Sequence, residues 1–259
     1  MNKEITRVIW ITGASSGIGA ALGEHYARPG TTLALMARRK VELNIISERC
    51  RAKGAVVHEY VADVTDIEAV RRCASDFLAH VGGVDIVIAN AGTRGEEDQD
   101  CQDTQIPEEI MRVNYFGVIN TFSPFIRPMK ALGHGQLVAI SSIASFRGTP
   151  NSGAYSASKA AVNVWSESLR LRLLAHGVSL TTICLGFVNT AMTEGLPFWM
   201  PGILTPEKAS VLIAEKIRKK ARVSILPWQS RFIWNVFRIL PGAVYDKLIV
   251  WAKAHGPKR

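Results

Sequence analysis

A tyrosine and a lysine four residues apart give the clearest chemical signal in this sequence. They are Tyr155 and Lys159 in the segment YSASK, and they share one face if that segment is helical. An isolated tyrosine has a pKa of about 10, which is too high for ready proton exchange at neutral pH. A fixed cation nearby stabilises the phenolate and lowers that pKa. The pair is therefore a candidate for proton transfer, and incidental surface chemistry is the alternative interpretation.

Further polar side chains lie upstream, around the end of a predicted strand. Ser142 follows the run 136–141, and Asn114 lies on the predicted helix before that run. One fold could bring these two side chains and the tyrosine–lysine pair into a crevice with little other charge. Ser141 and Ser145 are competing serines, although Ser141 is expected to finish the strand.

A glycine-rich segment at 12–19 reads TGASSGIG between the first predicted strand and the first predicted helix. In that place, glycines let backbone N–H groups approach a pyrophosphate at a helix N-terminus. The spacing is GxxxGxG rather than the GxGxxG dinucleotide fingerprint, so ordinary turn glycines are the alternative. The candidate cofactor-binding residues of this loop are Gly13, Ser15, Ser16, Gly17, Ile18 and Gly19.

Two arginines follow the second predicted strand, where an acidic residue would be expected if the protein gripped the adenosine ribose hydroxyls of NAD. A guanidinium group matches a phosphate group well, so Arg38 and Arg39 favour the 2′-phosphate of NADP, with NAD as the second option. The alternative is that both arginines begin a solvated helix.

Small and polar residues also follow the third and fourth predicted strands. Asp63 and Val64 come after the third, and Asn90, Ala91 and Gly92 come at the end of the fourth. Because both groups lie along the same predicted sheet edge, they could line an adenosine site. A helix cap or a turn explains either group alone, since Asp, Asn and Gly suit both roles.

The elements that must position these residues alternate between strand and helix. Apolar, β-branched runs predict six parallel strands at 8–12, 31–37, 55–61, 84–90, 136–141 and 179–185. Segments of helical length between them predict crossover helices at 18–27, 40–53, 67–80, 107–131 and 153–176. The expected fold is α/β, a Rossmann-type doubly wound parallel sheet with helices on both faces, which binds ligands beyond the carboxyl ends of its strands.

Taken together, these motifs resemble the short-chain dehydrogenase/reductase (SDR) family. The resemblance covers about residues 5–193 and rests on TGASSGIG at 12–19, NAG at 90–92, Asn114, Ser142 and YSASK at 155–159. It implies an enzyme that transfers a hydride between NAD(P) and a carbonyl or secondary alcohol. The family's offset before the tyrosine favours Ser142 over the other serines.

The resemblance also implies a role for each matched side chain. Tyr155 would donate a proton to the substrate oxygen during reduction and accept it during oxidation. Ser142 would hydrogen-bond that oxygen, and Lys159 would bind the nicotinamide ribose and lower the pKa of Tyr155. Asn114 would hold a water of a proton relay.

The segment after the last predicted strand resembles the family's PGxVxT loop, which meets the nicotinamide carboxamide. It reads GFVNT at 186–190, so Val188 and Thr190 are further cofactor-binding candidates, and Leu185 stands where proline is usual. That departure puts the rigidity of the loop in doubt. Residues from about 187 to 206 correspond to the family's substrate lid, and their apolar bulk, FWM at 198–200, leaves a lipid-like or aromatic substrate and a smaller polar one both open.

The expected domain division is a catalytic domain at 1–228 and an apolar, basic extension at 229–259. The extension has no run of about 20 apolar residues, so a bilayer-spanning helix is disfavoured, while two short interfacial helices are compatible with it. Aromatic and aliphatic bulk interleaved with Arg231, Arg238, Lys247 and Lys253 suits an anionic membrane surface. Packing on the domain or on a second subunit is the alternative.

Composition narrows the remaining classes. The net charge of +9 is attributed to the cofactor site and the extension, and no recognition module indicates nucleic acid. The four scattered cysteines predict reduced thiols and no metal site, and the acidic segment 96–103 is expected to be a solvated loop. A cytoplasmic location is expected, with peripheral contact at the inner membrane surface as an option, and the family resemblance implies a homodimer or homotetramer.

Two functions of different classes compete. The first is an NADP-preferring oxidoreductase that acts on a small-molecule carbonyl or alcohol. The second is a nucleotide-binding regulator or membrane-associated scaffold that has lost turnover. The intact set of Asn114, Ser142, Tyr155 and Lys159 argues against that loss.

Overall fold

One parallel sheet organises the part of the chain that the structure describes. The structure is a computed structural model, and it describes residues 7–98, 100, 102–150, 152–194 and 202–255. Every neighbouring pair of strands is parallel. The strands within these residues are β1 (Arg7–Thr12), β2 (Thr31–Ala37), β3 (Val56–Val61), β4 (Ile86–Ala89), β5 (Gly135–Ser142), β6 (Val178–Leu185) and β7 (Val223–Leu226).

Helices occupy the connections between the strands. They are α1 (Gly17–Tyr26), α2 (Lys40–Ala52), α3 (Ile67–Val81), α4 (Gln105–Met111), α5 (Gly117–Leu132), α6 (Gly153–Leu173), α7 (Pro206–Arg218), α8 (Trp228–Ile239) and α9 (Gly242–His255). A π-helical segment, Arg112–Phe116, joins α4 to α5, and a 3₁₀ turn, Ile143–Phe146, follows β5.

The order of the strands confirms the doubly wound α/β prediction. In space the sheet runs β3-β2-β1-β4-β5-β6-β7, so the winding reverses between β1 and β4. Sheets of this kind form their ligand crevice at the carboxyl ends of the strands beside that reversal. The glycine loop after β1 and the residues after β4 both lie at this position.

Alternate side chains of β1 supply two core layers, one on each face of the sheet. Ile9 and Ile11 join the layer beneath α1, α2 and α7, while Trp10 points into the layer beneath α3, α5 and α6. The Trp10 ring is fully buried, with its centroid 5.2 Å from that of Tyr60 and 5.1 Å from that of Phe125. Both faces of the sheet are thus covered, and its carboxyl edge is left for the site.

Three local differences separate the structure from the sequence prediction. The predicted helix at 107–131 is divided into α4, the π segment and α5. Strand β5 ends at Ser142 rather than Ser141. Strand β7 was not predicted, because it is a four-residue edge strand, VSIL, whose Val223 is largely exposed.

The structure describes only part of the predicted lid and part of the extension. The residues Phe198, Trp199 and Met200 lie outside the described residues, as does much of the predicted lid. The extension forms α8 and α9, the two short helices that its composition allows. Among the described residues, no helix has the length and apolarity needed to cross a bilayer.

Candidate active site

A hydrogen-bonded brace fastens the glycine loop after β1 to the end of β4. The side-chain nitrogen of Asn90 donates to the carbonyl oxygens of Thr12 at 3.1 Å and Gly13 at 3.3 Å. The Thr12 hydroxyl accepts from the backbone nitrogens of Asn90 and Ala91. The observed contacts of Asn90 are therefore with the glycine loop, where the sequence suggested a wall of an adenosine site.

The glycines of the loop form a cradle that side chains would fill. Gly13 has φ of +68°, and a Cβ there would lie 2.8 Å from the Cα of Ala91. A Cβ on Gly19 would overlap the Gly13 carbonyl oxygen, and one on Gly17, at φ of +54°, would lie 3.1 Å from Thr190. At its glycine positions the loop therefore presents bare backbone at the start of α1, which fits the close approach of a pyrophosphate.

Positive charge surrounds this cradle. The Arg39 guanidinium donates to the hydroxyls of Ser15 at 3.1 Å and Ser16 at 2.6 Å. Arg38 lies 3.4 Å from Asp63 and is well exposed. The first turn of α1 carries no acidic residue, so the partial positive charge of the helix N-terminus is not neutralised there. The arrangement suits an anionic ligand with more than one phosphate group.

Asp63 and Val64 flank this rim at the end of β3. Although burial opposes ionisation, hydrogen bonds from the backbone and hydroxyl of Thr65 and the nearby Arg38 lower the pKa of Asp63. Val64 is buried, and a Cβ on Gly117 would lie 2.7 Å from its side chain. Asp63 thus holds a fixed negative charge beside Arg38, and Val64 packs against the start of α5.

Tyr155 lies in the first turn of α6 and faces Ser142. The residue is partly exposed, and Ser142 and Arg94 are its polar neighbours. Burial raises the pKa of the Tyr155 phenol, and a hydrogen bond with Ser142 and the charge of Arg94 act in the opposite direction. The phenol is consequently held in its protonated form at neutral pH, the form that donates a proton.

Lys159 lies one turn further along α6 and is 5% exposed. Its Nζ donates to the carbonyl oxygen of Ile140 at 3.1 Å and lies 5.9 Å from the centroid of the Tyr155 ring. Burial lowers the pKa of Lys159 to about 8. Ser142 and Arg94 are the neighbours that lower the Tyr155 pKa in this structure, and the same effect implied for Lys159 stays a prediction.

Asn114 lies fully buried in the π-helical segment and clamps the loop after β4. Its side-chain oxygen accepts from the backbone nitrogen of Thr93 at 2.8 Å. Its side-chain nitrogen donates to the Thr93 carbonyl at 2.9 Å and to the Ser158 hydroxyl at 3.1 Å. The clamp connects three segments around the site, and the water-holding role implied for Asn114 stays a prediction.

The three candidate serines take different partners. Ser142 caps the 3₁₀ turn, accepting from the backbone nitrogen of Ala144 at 3.1 Å, and reaches Tyr155. Ser141 is buried and donates to the carbonyl of Lys159, whereas Ser145 donates to the carbonyl of Ser142. Only Ser142 of these three is oriented towards the tyrosine.

The loop after β6 is held in place although it lacks the expected proline. Leu185 stays in the sheet, paired with Leu226. The Thr193 hydroxyl donates to the carbonyl of Val188 at 2.6 Å and accepts from the backbone nitrogen of Thr190 at 3.1 Å. These bonds tie Thr190 to Val188, and the Thr190 side chain lies against the glycine loop at Gly17.

Two site residues were missed by the sequence analysis. Arg94 donates to the Ser152 hydroxyl at 3.0 Å, and the Glu97 carboxylate accepts from the backbone nitrogen of Ala154 at 2.7 Å. Glu97 thereby caps the N-terminus of α6, so the expectation of a wholly solvated acidic loop is wrong at this position. Both residues fasten the loop after β4 to the helix that carries Tyr155, and no local sequence signal marks either contact.

Comparison with known proteins supplies independent findings. The short chain dehydrogenase family matches residues 7–200. Human epidermal retinol dehydrogenase 2 is 33% identical over 242 residues, 90% of this chain and 78% of that protein. An alcohol dehydrogenase from the archaeon Thermococcus sibiricus, complexed with 5-hydroxy-NADP, is 29% identical with a TM-score of 0.76 over 85% of this chain and 94% of that one. A short chain dehydrogenase/reductase from Burkholderia phymatum in complex with NAD is 25% identical, with a TM-score of 0.79 over 87% and 90%.

Replacing Arg94 tests its effect on Tyr155. We expect Arg94→Met to raise the pKa of the Tyr155 phenol, because a neighbouring cation stabilises the phenolate, and Arg94→Lys to restore much of the effect. Alkaline titration of tyrosinate absorbance, with Tyr155→Phe as the subtraction reference, measures this shift. Arg127→Met, which removes an exposed arginine on α5, is the matched control, and an unchanged titration in Arg94→Met would contradict the assignment.

Burial of Lys159 should lower stability at neutral pH. Its folded-state pKa of about 8 lies below the ordinary 10.5, so below pH 8 folding must bury a charged amine. We expect Lys159→Met to unfold at a higher temperature than wild type below pH 8, with the advantage shrinking as pH rises from 8 to 10.5. Thermal unfolding across this range measures it, with the exposed Lys40→Met as control; a constant difference between the two proteins would disprove the effect.

Proposed function

Because the chain belongs to the short-chain dehydrogenase/reductase family and is an NAD(P)-dependent oxidoreductase of CH–OH and C=O groups, we propose that it prefers NADP(H) and uses Tyr155 as its acid–base residue. The observation that carries the proposal is the position of Tyr155, which lies beside Ser142 at the same sheet edge as the glycine cradle. Such a reaction requires the proton donor to lie close to the bound cofactor, so that both reach the same substrate.

The proposed chemistry assigns one task to each side chain of the site. In the reducing direction Ser142 hydrogen-bonds the substrate carbonyl oxygen and stabilises the negative charge that develops there. Tyr155 donates its phenolic proton to that oxygen, and it accepts the proton in the oxidising direction. A bound nicotinamide supplies or accepts the hydride. The raised pKa of Tyr155 keeps the proton available for donation at neutral pH.

Lys159 and Asn114 complete the proposed machinery. The Lys159 ammonium, held by the carbonyl of Ile140, lies where it can bind ribose hydroxyls beside Tyr155. Gly92 keeps this region open, since a Cβ there would lie 3.2 Å from the Asn114 side-chain oxygen and 3.6 Å from the Lys159 amine. We assign Asn114 to positioning the loop after β4, and its relay water remains part of the proposal.

The NADP preference rests on the charges at the end of β2. No acidic residue stands there to bind ribose hydroxyls, and Arg38 offers an exposed guanidinium beside the cradle. Arg39 reaches the hydroxyls of Ser15 and Ser16, so a phosphate at this rim would meet two arginines and a serine. NAD is the second option, with weaker binding expected because it offers no 2′-phosphate to these arginines.

We propose a hydrophobic carbonyl or alcohol as the substrate. Support comes from the apolar composition of the lid region, FWM at 198–200, and from the relationship to a retinol dehydrogenase. A small polar substrate is the competing option. Residues 1–228 are proposed as the catalytic domain, with the lid at about 187–206, and residues 229–259 as its extension.

We also propose an assembly and a location for the protein. Subunits of this family commonly associate through long helices, which supports a homodimer or homotetramer. A cytoplasmic location is proposed because the four cysteines are scattered along the sequence without a pairing pattern.

Removing the Tyr155 hydroxyl tests the proposed chemistry. Tyr155→Phe should lower kcat by about 10²- to 10⁴-fold, because general acid–base catalysis contributes about that factor, while NADPH binding is retained. NADPH oxidation with a panel of aromatic and long-chain aldehydes and ketones measures the rate. The control is Tyr60→Phe, which removes a hydroxyl on β3 that donates to Asp76 on α3. Full activity of Tyr155→Phe would exclude it as the acid.

Charge reversal at Arg38 tests the cofactor preference. Arg38→Asp should weaken NADPH binding about tenfold or more, since a hydrogen bond to a charged group contributes about 1.5–3 kcal/mol, and should weaken NADH binding far less. Dissociation constants from nicotinamide fluorescence measure both. Arg49→Asp makes the same change in net charge on α2, beside Glu24, and controls for the overall field. Equal weakening of both cofactors by Arg38→Asp would overturn the preference.

A further inference from the structure

Positive charge is concentrated in the C-terminal part of the chain. Residues 202–259 contain 12 lysines and arginines against 3 acidic residues, whereas residues 1–201 contain 19 of each. The whole net charge of +9 therefore belongs to the C-terminal part. Within it, residues 228–259, which begin with α8, hold six basic residues and one acidic residue.

The same part carries exposed apolar side chains at helical spacing. On α8, Trp228 is 73% exposed, Phe232 68%, Val236 37% and Ile239 80%. Successive intervals of four, four and three residues place these side chains on one face of the helix. We call these four residues the apolar stripe. Large side chains in this arrangement form a continuous surface rather than scattered exposed residues.

The opposite side of α8 is fixed to the catalytic domain. Ser230 is 1% exposed, and its hydroxyl packs so closely on Gly186 that a Cβ there would overlap it. The C-terminal end of α8 is also fastened, because the Arg147 guanidinium donates to the carbonyl of Leu240 at 2.6 Å. The stripe is thus held outward by contacts on the inner face of its own helix.

Helix α9 adds a second anchor and further exposed apolar side chains. The Tyr245 hydroxyl donates to the carbonyl of Gly148 at 2.8 Å, and its ring lies 4.8 Å from the Arg147 guanidinium. Val244 and Leu248, one helical turn apart, are exposed on α9. Both anchors join the extension to the segment that follows the 3₁₀ turn of Ser142.

We propose that the apolar stripe of α8 lies on the surface of an anionic lipid membrane. The argument is charge complementarity: Arg231 on α8 and Lys247 on α9 are exposed beside the apolar residues, in a region with an excess of positive charge. Helices that combine Trp and Phe with basic side chains bind in the interface of anionic bilayers. Pairing of this face with a second copy would instead bring two strongly basic surfaces together, which is repulsive.

Membrane contact through the apolar stripe would bear on the substrate of the enzyme, and this consequence rests on the proposed function. The extension is anchored at Arg147 and Gly148, shortly after Ser142 in the chain, so a membrane under the stripe would lie near the segment that carries Ser142. A carbonyl or alcohol compound dissolved in the lipid could then reach Tyr155 without crossing bulk water. The substrate class consistent with this geometry is a membrane-partitioning lipid.

Vesicle flotation tests the proposal without using catalysis. We expect the wild-type protein to float with vesicles of phosphatidylglycerol and phosphatidylcholine, to bind pure phosphatidylcholine far less, and to be released as salt rises. Phe232→Glu with Ile239→Glu should reduce the bound fraction about tenfold or more. Val41→Glu, which alters an equally exposed valine on α2, should leave binding unchanged. Circular dichroism and NADPH binding establish that every variant is folded.

Several outcomes would overturn the proposal. These are wild-type protein that fails to float with anionic vesicles, or a stripe variant that floats as well as the wild type. A third is a wild-type oligomer, seen by analytical ultracentrifugation, that the stripe variant dissociates while neither protein binds lipid. A protein that floats but shows no turnover with any carbonyl compound would refute the proposed function and leave the membrane surface standing.

Discussion

The close approach of two loops at the reversal between β1 and β4 is the constraint on which the site depends. The loop after β1 and the loop after β4 lie nearer than side chains permit, so Gly13 and Gly19 have no room for a Cβ and Asn90 bonds across the gap. This contact shapes the cradle on one side. On the other, Gly92 leaves space around Asn114 and Lys159. One crowded junction therefore positions both the cofactor end and the chemical end of the crevice.

Burial at this junction sets the electrostatics of the reacting groups. It raises the pKa of Tyr155 and lowers that of Lys159 to about 8, so it favours the neutral form of both. The carbonyl of Ile140 gives the lysine one partner, and Arg94 places a second cation near the phenol from a different loop. Holding a charged amine in this environment lowers stability, and such losses are common where function requires a strained or desolvated group.

The sequence was sufficient for the architecture and for the residues that form local motifs. Alternation of apolar runs and helical segments predicted six of the described strands, and the positions of Tyr155, Lys159 and Ser142 followed from motif order. Strand β7 was not predicted because a short edge strand is defined by its pairing with a neighbour, in this case β6. The contacts of Arg94 and Glu97 were not predicted for a related reason. Each residue bonds to a partner at the start of α6 that is 57 or 58 residues away in the sequence, and only the folded chain brings them together.

In the extension, the burial of individual side chains distinguishes two interpretations that the composition alone leaves open. An apolar, basic segment can pack on its own domain or face outward, and the two cases differ in which side chains are buried. Here the small Ser230 and the ring of Tyr245 are buried, while Trp228 and Phe232 are exposed. Packing alone would bury the largest apolar groups first, since each contributes most when removed from water. Among the described side chains of α8, two large aromatic groups therefore remain exposed, and the proposed lipid contact would remove both from water.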